Sequence, residues 1–348
     1  MLLTLNPRAL FWALVWTVGL AAAVPLGSRN LQNFDGALVA YLFGTLFACF
    51  GIVYRYAVWL DRPPTRLYWG AGWRLLFTRH FVSQALVLLR RFGGDLVGQT
   101  FIFRRSPWRG VAHLLLSWGC LSAFAITLPL TFGWVHFTLA AGRTDIYVAH
   151  LFGFAAFEFP LHSLVALGLF HALNVSSLLV IAGALYFVRR RLTDGGLLAT
   201  QSFDMDVLPL VLLLAVSVTG LGLTWDYELM QGRAHAFMAI THAITVILLL
   251  VWLPFGKFFH LFQRPAQLGV ALYRRAGEAG EQAVCPHTGE AFASRMHVED
   301  LKQVTREVGF DFTLAGGGSH LDLSPQGKRA ALARAHLEAR RRAGSLFG

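Results

Sequence analysis

The sequence predicts an all-α integral membrane protein, with six transmembrane helices in one bundle and a small cytoplasmic C-terminal tail. Three observations predict it. Of 348 residues, 55% are hydrophobic and only 14% charged, with a mean hydropathy of +0.53, whereas a water-soluble domain is about a quarter charged. Apolar stretches of roughly the ~20 residues needed to cross a bilayer as a helix recur six times. Lysine and arginine cluster in alternate loops, as they do when those loops stay in the cytoplasm.

Ala9 to Leu26 and Ala37 to Tyr54 are charge-free and give the first two spans, about 9–26 and 37–58. The first lacks a convincing small-residue cleavage site around Pro25 to Ser28 and is read as retained. Gly110 to Gly142 is longer than a span requires, so a helix of about 110–130 is followed by an extracytoplasmic segment. Ile146 to Val188 carries only Glu158 as a charge, and Pro160 divides it into a short outer segment and a helix of 161–188. Val207 to Trp225 and Ala234 to His260 complete the set. These six spans make a domain of residues 1–262, and 263–348 is the cytoplasmic C-terminal region.

Orientation follows from charge. Nine arginines lie between Asp61 and Arg109, three more at 189–191, and thirteen basic residues from Lys257 onward, against single arginines (Arg29, Arg143, Arg233) in the other loops. Six spans with both termini in the cytoplasm reproduce this pattern, for a multi-pass protein of a bacterial or archaeal cell membrane. The +11 net charge is thus a topology signal with some attraction to anionic lipid, and it does not argue for nucleic acid. Cys49, Cys120 and Cys285 have no iron–sulfur spacing. Any iron–sulfur carrier must come from another chain.

HFVSQALVLLRRFGG (80–94) reads as an amphipathic helix on the inner membrane surface or on a partner. In the tail, MHVEDLKQVTREVGF (296–310) and KRAALARAHLEARRR (328–342) read as short amphipathic helices. They are too small for an independent core and are expected to pack on the loops or on another subunit.

Ionisable side chains inside a bilayer are rare and usually functional, so the depth of the histidines matters. His113 and His260 fall at the inner face, beside Arg109 and Lys257. His171 and His242 fall about 27 and 23 Å above it, by helical rise. His242 and His260, eighteen residues apart, would share one face of one helix. Two level pairs, His113 with His260 and His171 with His242, would each suit bis-imidazole ligation of a haem iron. His162 is nine residues from His171 and points the opposite way. His235 shares the face of His242 and is the alternative outer ligand, with His150 or His162 opposite it. The competing reading is of membrane histidines bonded to helix neighbours, or of metal-free quinone or proton sites.

THAITVILLLVWLPFGKFFHLF (241–262) and RRSPWRGVAHLLLSWG (104–119) resemble the haem-bearing helices of the nitrate reductase gamma subunit superfamily. Within it, the closer likeness is to the membrane cytochrome b subunits of heterodisulfide reductases and of dissimilatory sulfite reduction complexes. The resemblance covers roughly Leu38 to Phe262. It implies a b-type cytochrome with two haems, or one, exchanging electrons between membrane quinol or quinone and an iron–sulfur subunit attached to a cytoplasmic catalytic subunit. It implies that His242 and His260 each ligate one haem and that His113 supplies a partner ligand. The nitrate reductase pattern places a further ligand at the position of Ala123, and His171 is the candidate to replace it. Glu158, with His150 and His162 beside it, is the candidate quinone site, because quinol oxidation needs a polar group that takes a proton within an apolar cleft. Glu158 is equally readable as a carboxylate facing water at the outer interface. The alternatives to the cytochrome reading are a haem-free membrane anchor and a membrane transporter.

CPHTGEAFASRMHVEDLK (285–302) with LSPQGKR (323–329) resembles a two-knuckle zinc ribbon in which Thr288, Ser324 and Gly327 stand in the places of cysteines. Cys285 with His287, His297 and His320 would be a mixed zinc site. Without zinc, the element is a degenerate ribbon used for docking.

Overall fold

The computed structural model describes residues 5–314 and 316–344. Helix α1 (Pro7–Gly27) begins at Asn6, whose side chain accepts from the Ala9 N–H, with a proline in the first turn where its missing N–H is not needed. A short 3₁₀ turn at Gly36–Leu38 leads into α2 (Val39–Asp61). Two prolines open α3 (Pro63–Leu76), and α4 (Phe81–Arg91) follows. A π-helical stretch, Phe92–Val97, connects α4 to the single turn α5 (Thr100–Phe103). Helix α6 (Pro107–Thr131) starts as α1 does, with Ser106 accepting from the Arg109 N–H and a proline in the first turn. Strands β1 (Val135–Leu139), β2 (Ile146–Leu151) and β3 (Phe154–Pro160) come next. Ser163 caps α7 (Leu164–Thr193) and Asp194 caps α8 (Gly195–Thr200). Then come α9 (Leu208–Met230), α10 (His235–Trp252), α11 (His260–Ala266) and α12 (Gly269–Ala279). The hairpin of β4 (Gln282–Val284) and β5 (Ala291–Ser294) precedes α13 (Arg295–Glu307), capped by Ser294, and α14 (Pro325–Ala343), capped by Ser324.

Six helices, α1, α2, α6, α7, α9 and α10, are long and apolar enough to cross a membrane. The chain is therefore all-α in its main architecture and a multi-pass membrane protein. It divides into two compact units. One comprises the chain up to Val58 together with Gly94–Gln263, and the other Trp59–Gly93 together with the chain from Arg264 onward. The loop after α2, placed with the spans in a domain of 1–262, thus belongs with the tail.

In the first unit α6 packs along α7, α7 along α9, and α9 along α10. Glycine lets the first two approach closely. A Cβ at Gly183 would lie 2.6 Å from the Ala112 carbonyl oxygen, and one at Gly119 would lie 2.9 Å from that of Ser176. Small residues at such crossings are how helices gain contact where lipid supplies no hydrophobic drive. Val180, Leu212, Leu213 and Leu249 form the buried cluster shared by α7, α9 and α10.

The segment between the third and fourth spans is a three-stranded antiparallel sheet in the order β1–β2–β3. Its aromatic face packs down on α7, with Phe137, Tyr147 and Phe159 each within 6.0 Å of the Phe170 ring.

The sixth span departs from the expected continuous helix. Helix α10 ends at Trp252, and His260 begins α11, so His242 and His260 do not share one helix face. Pro254 cannot donate to the ladder, and the Phe255 and Gly256 N–H groups turn back to the Trp252 carbonyl at 3.0 and 3.2 Å. The Trp252 ring lies over Gly256, where any Cβ would overlap it.

In the second unit α12, a helix not expected from the sequence, packs on α3 and α4, and α13 packs on α3. The expected packing of the tail on a loop is realised here. An ion pair between Arg66 and Glu307, at 2.6 Å, joins α3 to α13. The tail helix α14 is not amphipathic as expected. Its exposed Leu332 and Leu337 are five residues apart, about 140° around the helix, and do not form one apolar face.

Candidate functional site

The four histidines expected to ligate haem each have Nδ1 in a hydrogen bond. His113, in the second turn of α6, places Nδ1 2.7 Å from Gln99 Oε1. Gln99 is 6% exposed and left-handed (φ 49°), just before α5, and its amide nitrogen also donates to Ser117 Oγ. Ser117 in turn donates to the His113 carbonyl at 2.8 Å. Phe187 of α7 stands edge-on to the imidazole, with ring centroids 6.2 Å apart.

His242, in α10, places Nδ1 2.9 Å from Thr219 Oγ1 of α9. The Thr219 hydroxyl also lies 2.7 Å from the Ala215 carbonyl; when it donates there, it accepts from His242. His260 places Nδ1 2.6 Å from the Lys257 carbonyl oxygen. The Lys257 peptide oxygen can only accept, so neutral His260 carries its proton on Nδ1. His113 does the same with the Gln99 amide set as it is here, and His242 does so when the Thr219 hydroxyl is its acceptor. This is the arrangement of metal-ligating histidines, whose second nitrogen is held by a backbone or side-chain acceptor.

His171 is set the other way. Its Nδ1 lies 3.0 Å from Asn174 Nδ2, a donor, while Asn174 Oδ1 accepts from Thr224 Oγ1 at 3.0 Å. This amide orientation puts the His171 proton on Nε2. Turning the Asn174 amide over reverses it, because a threonine hydroxyl accepts as well as it donates. His171 and His242 both attach to α9, at Thr224 through Asn174 and at Thr219 directly. Gly220 admits the second ring, since a Cβ there would lie 3.3 Å from His242 Cε1.

The three quinone candidates do not share one set of partners. His150 bonds Thr138 Oγ1 at 2.9 Å and stacks on His136, its cross-strand neighbour, with centroids 4.6 Å apart and planes 5° apart. Glu158 is exposed on the edge strand β3, near Arg143, whose side chain is bonded to Asp145. Of the two readings of Glu158, its exposure matches the carboxylate facing water at the outer interface, and the short outer segment that holds it folds as a strand. His162 is exposed in the turn before α7, and His235 is exposed at the start of α10.

Four residues were not visible as functional candidates in the sequence: Gln99, Thr219, His136 and Arg55. Gln99 and Thr219 are ordinary polar residues until the fold brings them to a histidine. Arg55, on α2, donates to the carbonyls of Pro254 and Gly256 and lies 4.3 Å over the Phe259 ring. Its signal was a lone cation just past a charge-free span.

Among the described residues no group of three or more His, Cys, Asp or Glu side chains converges to hold a metal ion. A bis-imidazole haem needs only two. In the tail, the four positions read as ribbon knuckles do converge on Cys285. Thr288 and Ser324 hydroxyls lie 3.3 Å apart, and a Cβ at Gly327 would lie 2.6 Å from Cys285 Sγ.

No protein-family model, curated protein or solved structure matches the chain.

Proposed function

We propose that the chain is the membrane cytochrome b subunit of a respiratory oxidoreductase. In this reading His113 and His260 hold an inner haem b, and His242 with His171 an outer one. Electrons pass between membrane quinol or quinone and an iron–sulfur subunit, itself attached to a catalytic subunit on the cytoplasmic side, where the arginine-rich loops and both termini lie.

The observation that carries the proposal is that His113, His242 and His260 each engage Nδ1 with a different kind of partner, a glutamine amide, a threonine hydroxyl and a peptide carbonyl. Holding a ring by one nitrogen orients the other, and that is how metal-ligating histidines are held. Bound haem would supply reversible one-electron chemistry. The chain's own residues orient the imidazoles: Gln99 and Thr219 fix ring rotation, and the Arg55-held turn at Pro254–Gly256 precedes the helix that His260 opens. The family likeness of residues 104–119 and 241–262 points the same way.

The test is the reduced-minus-oxidised absorbance spectrum of the purified full chain, with haem quantified per chain. A low-spin b-type signal is expected, reduced by one haem per chain in His113→Ala or His260→Ala. A chain that purifies folded without haem would return the function to a membrane anchor or a transporter.

A further inference from the structure

Helix α4 is covered in part by α3 and α12, with Gln84, Ala85, Val87 and Leu88 half-buried. Phe81, Val82, Leu86, Leu89 and Phe92 lie within ~140° of the helix circumference, each 46–71% exposed. Phe77, 69% exposed, extends this stripe backwards, stacked on Phe81 at 5.9 Å with planes 10° apart. A contiguous apolar stripe of this kind marks an interaction surface.

Charge and connectivity identify what covers it. From Arg62 to Gly94 the chain holds six arginines and no acidic residue. Arg90 follows Leu89, and Arg79 precedes the helix. The loop enters from one membrane-crossing helix, α2, and returns through another, α6. Only six residues after α4 ends, the Val97 carbonyl accepts from the indole N–H of Trp118 in α6. An apolar stripe bordered by arginines, in a loop that joins two membrane-crossing helices, fits the acyl–headgroup boundary of an anionic bilayer.

We infer that α4 is an interfacial membrane helix, with Phe77, Phe81, Val82, Leu86, Leu89 and Phe92 in the acyl boundary and its arginines among anionic headgroups. The inference does not depend on haem. Its test is nitroxide labelling of the full chain, in a background with the three native cysteines replaced by serine. The label is placed at Leu86→Cys, Leu89→Cys or the outward control Ser83→Cys, and the chain is reconstituted in phosphatidylcholine vesicles with and without phosphatidylglycerol. Labels at 86 and 89 are expected to be relaxed more by oxygen than by a water-soluble nickel chelate, and the label at 83 the reverse. Phosphatidylglycerol is expected to deepen 86 and 89, with the deepening lost in Arg90→Gln/Arg91→Gln. Two results overturn the inference. Chelate-accessible labels at both 86 and 89 would mean a face left in water, and labels shielded from both reagents would mean a face covered by protein.

Discussion

The carbonyl oxygens of Pro254 and Gly256 are both held by one guanidinium, that of Arg55, at 2.6 and 3.1 Å. They are carbonyls of the turn that follows α10, and both accept from one nitrogen, Nη1. Bonds to a charged donor of this kind are worth about 1.5–3 kcal/mol each in comparable settings. Arg55→Met is therefore expected to lower the stability of the detergent-solubilised chain by about 2 kcal/mol, read by thermal unfolding. Arg55→Lys should recover part of the loss, since an ammonium can donate to both carbonyls but does not stack over the Phe259 ring as a planar guanidinium does. Unchanged unfolding in Arg55→Met would mean that the turn is held by Pro254 and Trp252 alone.

In the proposed haem reading Gln99 is a positioning residue for His113. Gln99→Leu removes the acceptor and leaves Nδ1–H without its partner, and losses of this type weaken metal binding by roughly 10–100-fold. Faster haem loss from the inner site is the expected result, measured by exchange to a haem acceptor protein. Gln99→Glu keeps an acceptor and adds negative charge to it, which makes the imidazole a stronger donor to iron. The inner midpoint potential should then fall while haem stays bound. A purely structural role for Gln99 would predict no potential shift in Gln99→Glu.

How much of this was legible depends on which physical signal each element leaves. The spans were legible because a bilayer demands long runs without charge, and composition records that directly. The break after Trp252 was not. Proline alone does not decide it, since Pro25, Pro129 and Pro265 sit inside helices of the same chain. What ends α10 is Pro254 together with the Trp252 ring over Gly256 and a cation from another helix, and the apolar run continuing to Phe262 hides all three. The outer sheet was hidden for a related reason, because an aromatic-rich strand and a membrane helix look alike in hydropathy. The partners of the histidines were out of reach. Gln99 lies fourteen residues from His113, and Thr219 twenty-three from His242, with no periodicity linking them. The ribbon positions, by contrast, were visible from the paired two-residue spacing, and the fold does bring Thr288, Ser324 and Gly327 to Cys285.

His242 and His171 give a test of the outer site that separates ligation from packing. Thr219→Val keeps the shape of the side chain but removes the acceptor of His242 Nδ1–H, and the outer haem is expected to dissociate about 10–100-fold more readily. His171→Ala is expected to remove the same spectral signal as His242→Ala. Asn174→Asp should preserve it, because a carboxylate accepts from Nδ1–H and sets the ligating tautomer. An outer signal that survives His171→Ala would pass the fourth ligand to His150, His162 or His235.

The stacked pair of His136 and His150 should make the outer sheet sensitive to acid. Burial holds the His136 pKa below the ordinary imidazole value, and the charge of His150 and that of Arg29 lower it further, against an opposing bond to the Gly133 backbone. The unfolded chain therefore takes up a proton near pH ~6.5 that the fold resists. This contribution to stability is present above that pH and is lost as pH falls through the lower folded value. Backbone amides of β1 and β2 should exchange with deuterium faster, relative to the spans, on going from about pH 7.5 to about pH 5. His136→Phe should abolish the difference. Equal pH dependence in that variant would move the titration to another group.

The thiol of Cys285 is 1% exposed yet lies under only the thin cover of the two knuckles. Burial raises its pKa. The Thr288 hydroxyl, the Ser324 backbone and hydroxyl, and the His287 backbone outweigh that and bring it to about 6, from 9.0. The donors that surround it take the place a zinc ion would have in a ribbon of four cysteines. Because the folded value is the lower one, the unfolded chain binds the extra proton between about pH 6 and 9. Stability should rise with pH across that window, be fully present above it, and be lost as pH falls through about 6. Thermal unfolding of the full chain at a series of pH values should show this rise, and Cys285→Ala should flatten it. Gly327→Cys alone should destabilise, because its Cβ would lie 2.6 Å from the Cys285 sulfur, well inside contact distance. Zinc added to the wild-type chain should leave unfolding unchanged, since one thiolate and two hydroxyls are a poor donor set for that ion. A zinc-dependent rise in unfolding temperature that disappears in His287→Ala, His297→Ala or His320→Ala would show instead that Cys285 and those imidazoles close a metal site.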